Sequence, residues 1–487
     1  MKAVVAVLAA TAFVLCASPA AAQSDASPPS CVGDTEAGSV PQIPGGQRLR
    51  FGVTPGVETG QIGTAPAAAV PEDRPRHDAA LAELRPRSGP FVLRLNRFFW
   101  SDREAGFNRF LALAHRYTSA GYGVELQVRY HPDSAQEGDI AAWTAHVREV
   151  VRRFGAIRGV VALQIANEVN IAFSRDSSDG AYRGAREALV QGVIAAKDEA
   201  RRRGLRGLEI GFNWAYRLDP ATETSFWSAL RDRGGAAFAR SLDWIGLDAY
   251  PGTIFPPAEP DLDGYRDGMV NAMSAIRCYA KLPGIPRSVP VKVEENGWPT
   301  FLGRSYATQA AVLERMVRAV HDFRATYGVT DYRWFNLRDS DTASQQIFQR
   351  AGLIESDYDR KPAFGVYERL VERLSIRGGL SGARPRLSLR ARYRRGRWRG
   401  RSCARGPVRA TVTGADRRLA RRADFRRGRR RVARDTRPPL SRIIDRRRHR
   451  GRSHRHAVVA KVRLADGGLV RLRRVYRVCA ARVRVRP

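Results

Sequence analysis

The 487-residue sequence lacks several features that would place it in common protein classes. Beyond the N-terminal region, no apolar run approaches the roughly 20 residues that a membrane-spanning helix needs. No glycine-rich phosphate loop follows the first apolar run, and no cysteine or histidine spacing matches a metal site. These absences argue against an integral membrane protein, a nucleotide-binding protein and a metalloenzyme, and we expect no cofactor.

The N-terminus has the composition of a cleavable export signal. Lys2 is followed by a short apolar run and then by three alanines before Gln23. The run is shorter than a membrane anchor and rich in small residues. We therefore expect residues 1–22 to be removed, and the mature chain to be secreted or associated with the cell envelope.

Cysteine is scarce, with five in the sequence and four beyond the export signal. Outside the cytoplasm these four are expected to pair, and three connectivities are open. We expect Cys31 to pair with Cys278 and Cys403 with Cys479, because each pair then lies on one side of the domain boundary described next. Free buried thiols are the alternative.

Acidic residues are nearly missing from the C-terminal part of the chain. Residues 376–487 hold 39 Lys and Arg but only 5 Asp and Glu, which is +34 of the total net charge of +36. The preceding residues are almost neutral, at +2. This change predicts a domain boundary. The expected divisions are an N-terminal segment 23–47, a large domain 48–377, a linker 378–385 and a basic domain 386–487.

The large domain alternates between short apolar runs and longer segments with helical periodicity. Eight runs are predicted strands, at 49–54, 92–96, 124–130, 160–167, 208–213, 244–250, 289–295 and 332–337. Eight strand–helix units in about 330 residues predict an α/β fold, the (β/α)8 TIM barrel. An open doubly wound sheet is the alternative, but the glycine-rich loop typical of its first strand is missing.

Carboxylates stand at the ends of two predicted strands. Strand four ends in "ANEVN" with Glu168, and strand seven ends in "VEENGWP" with Glu294 and Glu295. In a TIM barrel these strand ends form the active-site face, and strands four and seven lie across the mouth from each other. Two facing carboxyl groups suit glycosidic bond cleavage, because one protonates the leaving oxygen and the other meets the developing cationic carbon.

These residues resemble clan A of the retaining glycoside hydrolases, in which the acid/base Glu follows an Asn on strand four and the nucleophile ends strand seven. "EENGWP" is similar to the Ser-Glu-Ser-Gly-Trp-Pro signature of the β-1,3-glucanase family within that clan. The resemblance implies that Glu168 is the acid/base and Glu295 the nucleophile. Glu294 is the alternative, since side chains alternate along a strand and only one neighbour should face the mouth.

The resemblance also implies residues that bind the sugar or support the nucleophile. Asn167 would hold the 2-hydroxyl, Tyr250 would hydrogen-bond the nucleophile, and Trp334 would lie beneath the sugar ring. Arg94 or Arg97 on strand two would lower the pKa of the nucleophile.

Loop residues add further candidates for sugar binding. Trp298 follows strand seven. His131 and Asn213 are polar neighbours of loop aromatics that suit a sugar-binding cleft, namely Trp100, Tyr130, Trp214 and Tyr216. A role for Trp298 and Trp334 in filling the core is the alternative.

The basic domain shows strand periodicity between Gly-rich turns, in "VRATVTG", "HAVVAKVRLADGG" and "VRLRRVYRVC". It resembles the immunoglobulin-like β-sandwich modules of exported bacterial proteins. So dense a positive surface is expected to bind an anionic cell-wall polymer, uronate-containing polysaccharide or a membrane surface. Arginine that serves only solubility is the alternative. We expect no specific nucleic acid partner, and a monomer.

The sequence therefore predicts a secreted retaining β-glycoside hydrolase that cleaves a β-linked polysaccharide or oligosaccharide by double displacement. It predicts two carboxyl groups about 5 to 5.5 Å apart at the barrel mouth. The alternative is a non-catalytic polysaccharide-binding barrel that the basic domain tethers to the cell envelope.

Overall fold

The computed structural model describes defined parts of the chain. These are residue 31 and residues 49–56, 58, 69–87, 89–258, 261–301, 303–375, 387–398, 401–414, 417, 420–428, 430–437, 439–445, 454–464 and 469–479. The predicted export signal, the linker 378–385 and most of segment 23–47 lie outside the described residues.

The large domain is a closed barrel of eight parallel strands, which confirms the predicted TIM barrel and rules out the open sheet. The strands are β1 (Arg50–Val53), β2 (Phe91–Phe99), β3 (Gly123–Arg129), β4 (Val160–Ile165), β5 (Glu209–Ala215), β6 (Trp244–Ala249), β7 (Val291–Asn296) and β8 (Val329–Trp334). Each overlaps its predicted strand, and the barrel closes where Gly52 of β1 pairs with Arg333 of β8. Strand eight begins three residues earlier than predicted, because Asp331 interrupts its apolar run in the sequence.

Eight α-helices surround the barrel in the described residues. They are α1 (Arg74–Leu84), α2 (Arg103–Ser119), α3 (Ile140–Phe154), α4 (Ala185–Arg202), α5 (Pro220–Ser241), α6 (Leu262–Tyr279), α7 (Tyr306–Tyr327) and α8 (Pro362–Leu374). Side-chain caps begin several of them: Asp139 accepts a hydrogen bond from the Ala142 N–H at 2.9 Å, which satisfies an N–H that the helix leaves unpaired. None of the described helices combines the length and apolar character that crossing a membrane requires.

Strand side chains alternate between the helices and the barrel interior. Those that face the helices are apolar and buried, as Phe51, Leu93, Leu163 and Val293 illustrate. Removing this apolar surface from water is the main favourable term in folding the domain.

The interior face of the barrel is charged instead. Arg50 Nη2 lies 2.8 Å from Glu209 Oε2, and Lys292 Nζ lies 3.0 Å from the same oxygen and 3.3 Å from Glu125 Oε2. These contacts link strands on opposite sides of the barrel. Burial alone would raise the pKa of Glu125, but Lys292 and neighbouring groups lower it to about 2. TIM-barrel interiors are usually filled by branched apolar residues, so this charged packing is unusual.

The basic domain is all-β, as predicted. Its strands are β9 (Ser388–Trp398), β10 (Arg401–Thr413), β11 (Ala420–Arg427), β12 (Arg430–Asp435), β13 (Ser441–Asp445), β14 (His454–Leu464) and β15 (Leu469–Val478). They form one mixed sheet in the order β12-β11-β14-β15-β10-β13, with β9 beside β10. Val408, Val412, Val458 and Val462 are buried in its core. The immunoglobulin-like resemblance stays a prediction.

Both predicted disulfides are confirmed. Cys31 is bonded to Cys278 and Cys403 to Cys479, with Cα–Cα distances of 5.4 and 5.0 Å. The second bond joins β10 to the end of β15 across a sequence separation of 76 residues. A loop of that length constrains the unfolded chain by roughly 4 kcal/mol in the entropy model.

Candidate active site

Three carboxyl groups from three strands meet at the C-terminal mouth of the barrel. Glu168 follows β4, Asp248 lies on β6 and Glu295 on β7, and one oxygen of each lies within 4.8 Å of the others. Asp248 and Glu295 are buried, while Glu168 is half-buried. All three line one cleft at the barrel mouth, which also receives side chains from the surrounding loops.

An irregularity in β7 separates the roles of the adjacent glutamates. The β6–β7 register shifts after Leu247, so that Asp248 pairs with Glu295, and the β7–β8 register also shifts after Val293. Such a bulge suspends the strict alternation of side chains, so both glutamates point inward at different depths. Glu295 reaches the cleft, whereas Glu294 is fully buried beneath it.

Arg94 and Tyr250 hold the carboxylate of Glu295. Arg94 Nη1 lies 2.9 Å from Glu295 Oε1, and the Tyr250 hydroxyl donates to Glu295 Oε2 at 2.7 Å. Burial, and next the charge of Glu295, raise the pKa of Tyr250 well above its usual value, so the hydroxyl remains a donor. Of the two predicted arginines, the structure brings Arg94 to the glutamate. Arg97 lines the cleft but pairs with Asp176, at 2.8 Å.

Asn167 and Asn213 position the acid on the opposite side. The Glu168 N–H donates to Asn213 Oδ1 at 2.9 Å, and Asn213 Nδ2 donates both to Asn167 Oδ1, at 2.8 Å, and to Asp248 Oδ2. Glu168 has a φ of 46°, in the left-handed region that costs a non-glycine residue about 1 kcal/mol or more. The asparagine network therefore holds a backbone bend that turns this side chain toward the cleft.

Two of the three carboxyl groups, those of Glu168 and Asp248, have raised pKa values. Burial, and next the charge of Glu295, raise the pKa of Glu168 to about 8. The same causes raise the pKa of Asp248 well above its usual value. Asp248 Oδ1 is buried with no N–H or hydroxyl donor among the described residues, but its carboxyl hydrogen-bonds that of Glu168. The site thus places an acid with a pKa of about 8 opposite Glu295, with which Arg94 forms an ion pair.

Trp334 does not reach the cleft. Its indole is fully buried and donates to the Ala351 carbonyl at 3.3 Å. The preceding Arg333 faces the barrel interior, so alternation turns Trp334 toward the helices. At the end of strand eight, the aromatic residue that lines the cleft is instead the next one, Phe335. Its ring centroid lies 6.4 Å from that of Tyr250.

Three other predicted sugar-binding residues also lie outside the cleft lining: Asn213, which holds the backbone of Glu168, Trp298 and His131. Trp298 is buried, with the Arg304 guanidinium 4.3 Å from its ring centroid. His131 stacks on Phe99 at a centroid distance of 4.2 Å. Burial, and next the charge of Arg129, lower the pKa of His131 to about 4, so it is neutral at physiological pH.

The cleft contains residues that the sequence reasoning missed. Asp248 was detectable, because it lies two residues before Tyr250 on one strand and period two puts both on the same face. Phe348 comes from the loop after β8, and its ring centroid lies 5.1 Å from that of Tyr250. Phe173 and Arg217 form part of the rim, with the guanidinium 5.8 Å from the ring. No periodic pattern in the sequence indicates that these loop residues reach the cleft.

The three carboxyl groups are also the set of potential metal ligands found among the described residues. Arg94 already compensates Glu295, and the other two carboxyl groups have raised pKa values. A cation would have to displace those protons, so the arrangement favours proton transfer over metal binding.

No protein-family model matches the chain, and no curated protein matches it. Among solved structures, a GH5_18 protein from Streptomyces cattleya in complex with GlcNAc is 15% identical, with 70% of this chain and 88% of that one covered and a TM-score of 0.46. The hyperthermophilic beta-glucosidase from Pyrococcus furiosus is 13% identical, with 69% and 97% covered and a TM-score of 0.45. A glycoside hydrolase family 17 beta-1,3-glucanosyltransferase from Rhizomucor miehei is 16% identical, with 65% and 97% covered and a TM-score of 0.40. Similarities this low assign neither a family nor an activity to the chain.

Proposed function

We propose that this protein is a retaining β-glycoside hydrolase with Glu168 as acid/base and Glu295 as nucleophile. The observation that carries the proposal is the approach of their carboxyl oxygens to within 4.8 Å across the barrel mouth. Retaining enzymes hold their carboxyl groups about 5–5.5 Å apart, whereas inverting enzymes need about 6.5–9.5 Å to admit a water molecule. The short separation therefore favours direct attack by one carboxylate.

The environments of the two groups assign their roles. In the first step the Glu168 carboxyl gives its proton to the glycosidic oxygen, while a Glu295 oxygen bonds the anomeric carbon and the leaving group departs. In the second step the Glu168 carboxylate takes a proton from water, and the water oxygen displaces Glu295 from that carbon. Arg94 and Tyr250 orient Glu295 for attack and stabilise it as the leaving carboxylate.

Asp248 acts as a positioning residue for the acid. Its carboxyl hydrogen-bonds Glu168, and Asn213 Nδ2 holds its other oxygen. When Glu168 loses its proton to the leaving group, a donor at this position stabilises the new carboxylate. The charged and titratable groups around the pair are Glu295, Glu294, Arg94, Arg129 and Tyr250.

Substrate and location are further parts of the proposal. The "EENGWP" resemblance makes a β-1,3-glucan the first substrate to test, followed by other β-glucans, β-mannans and β-galactans. Two disulfides are typical of oxidising compartments, which supports export of the protein.

The proposal is tested by incubating the purified full-length protein with aryl β-glycosides and this polysaccharide panel. We expect hydrolysis, with NMR showing that the first sugar released keeps the β configuration. Release of the α anomer would contradict the retaining mechanism. Binding to a polysaccharide without any turnover would favour the alternative, a non-catalytic binding barrel.

A further inference from the structure

The outer surface of strands β12, β11, β14 and β15 is a continuous positive surface, here called the basic face. Alternation turns Phe425, Val458, Ala460 and Val462 into the core of the sheet. The residues of the basic face are Arg422, Arg426, Arg431, Arg434, Arg455, Lys461, Arg463, Arg471, Arg473 and Arg477. Asp424 is the one acidic side chain that the described strands place there, 2.7 Å from Arg434.

Like charges stand directly opposite each other across this face. The register pairs Arg426 with Arg431 and Arg422 with Arg463. Two more pairs, Lys461 with Arg471 and Arg455 with Arg477, join β14 to β15. Directly opposed like charges destabilise a sheet. On the core face, Arg427 also lies opposite Arg430, but there it is 3.0 Å from the carboxylate of Asp445. A local rule broken repeatedly along one face points to a binding surface.

The chemistry of the face indicates a linear anionic ligand. Guanidinium groups pair with carboxylates in a bidentate way, and neighbouring strands space them at roughly 4.8 Å. Its residues include no aromatic ring, among the described strands, on which a nucleic acid base would stack. Of its apolar members, Ala457, Val459 and Val475 are half-exposed and Leu469 is exposed. One exposed leucine offers little for insertion into a membrane.

We propose that the basic face binds a linear anionic polysaccharide, such as a uronate polymer, and holds the barrel on a charged glycan. The choice of a polysaccharide over other polyanions rests on the proposed glycosidase function. The binding itself is independent of turnover, so Glu295→Gln protein should bind as the wild type does. Loss of hydrolysis and loss of binding are therefore separate outcomes.

The test measures binding of the full chain to polygalacturonate, with fully methyl-esterified polygalacturonate as the uncharged control ligand. The basic-face variant carries Lys461→Gln, Arg471→Gln and Arg473→Gln. The matched variant carries Arg158→Gln, Arg206→Gln and Arg240→Gln, which remove the same charge from exposed barrel positions.

We expect polygalacturonate to bind with steep salt dependence and the methyl ester not to bind. The basic-face variant should lose at least about tenfold in affinity, and its log–log salt slope should fall by about two to three. The matched variant should stay within about twofold. Because Lys461 and Arg471 repel each other, the basic-face variant should also melt at an equal or higher temperature.

Three results would overturn the proposal. One is equal affinity of the basic-face variant and the wild type, and another is equal binding of the methyl ester. The third is tighter binding of duplex DNA or anionic vesicles than of polygalacturonate at the same salt concentration, which would identify a different partner.

Discussion

The barrel interior and the basic face are both rich in charge, but they arrange it in opposite ways. Inside the barrel, Arg50, Glu209, Lys292 and Glu125 alternate in sign at ion-pair distances. On the basic face, arginines oppose arginines in water. A buried ion needs an opposite partner, whereas water and salt screen repulsion at the surface. Net charge therefore describes neither region, and only the arrangement shows what each can do.

In its balance of charge, the cleft is intermediate between the barrel interior and the basic face. It places three carboxyl groups together, and among the described residues Arg94 is the cation in contact with them. This imbalance, together with burial, raises the pKa values of Glu168 and Asp248 and so favours their protonated forms. Such uncompensated groups cluster at functional sites, because a shifted pKa is what proton transfer at neutral pH requires.

The largest expected effect comes from comparing Glu295 in the cleft with Glu294 in the barrel interior beneath it. Glu295→Gln should lower kcat by at least about a thousandfold, because it removes the nucleophile. Glu294→Gln should keep most of the activity, because burial and Glu125 raise the pKa of Glu294 and the neutral amide mimics its protonated form. Steady-state kinetics on a cleaved substrate measure both. The reverse result would move the nucleophile to Glu294.

A second experiment breaks the charge balance of the interior. Lys292→Met should lower the free energy of unfolding by about 3–5 kcal/mol, because Glu125 and Glu209 lose the buried lysine that both contact. Arg231→Ala removes an exposed ion pair with Asp232 and should lower the free energy of unfolding by less than about 1 kcal/mol. Urea unfolding of both variants provides the comparison. Similar decreases in unfolding free energy would mean that the interior ion pairs stabilise the protein no more than an exposed pair does.

The pH dependence of activity tests Glu168 as the acid and Asp248 as its hydrogen-bond donor. Activity needs protonated Glu168, so it should be present below a pKa of about 8 and decline as the pH rises through that value. Asp248→Ala removes the donor to the Glu168 carboxylate, so it should lower kcat about 10- to 100-fold and move the alkaline limb to higher pH.

Asp248→Asn is the matched variant, because its amide can still donate a hydrogen bond. It should restore most of the rate and leave the alkaline limb near that of the wild type. If both substitutions slow the enzyme equally and leave the pH profile unmoved, Asp248 has only a structural role.

The smallest expected effect concerns the cleft aromatics. Phe335→Ala should raise KM about three- to tenfold, because a ring that lines the cleft is lost. Trp334→Phe should leave KM unchanged and lower the melting temperature, because Trp334 packs against the helix layer. A KM effect confined to Trp334→Phe would restore the position that the sequence predicted.

Much of the fold could be read along the chain. Apolar runs mark the strands because each strand buries its helix-facing residues, and Phe51 and Val293 are members of that pattern. The change in charge near residue 375 predicted the grouping of the cysteines that the disulfides confirm. The carboxylates at the ends of strands four and seven were also detectable, because parallel strands bring those ends to one mouth.

What the sequence determined by itself was the number of strand–helix units, the division of the cysteines between two domains and the presence of acids at two strand ends. These follow from local composition and from periodicity, which need no knowledge of distant residues. Only the tertiary structure decided that a bulge in β7 separates Glu294 from Glu295, that Phe335 and not Trp334 lines the cleft, and that Asp248 joins the pair. Each depends on how strands distant in sequence align when the barrel closes, and that alignment is set by packing across the whole domain.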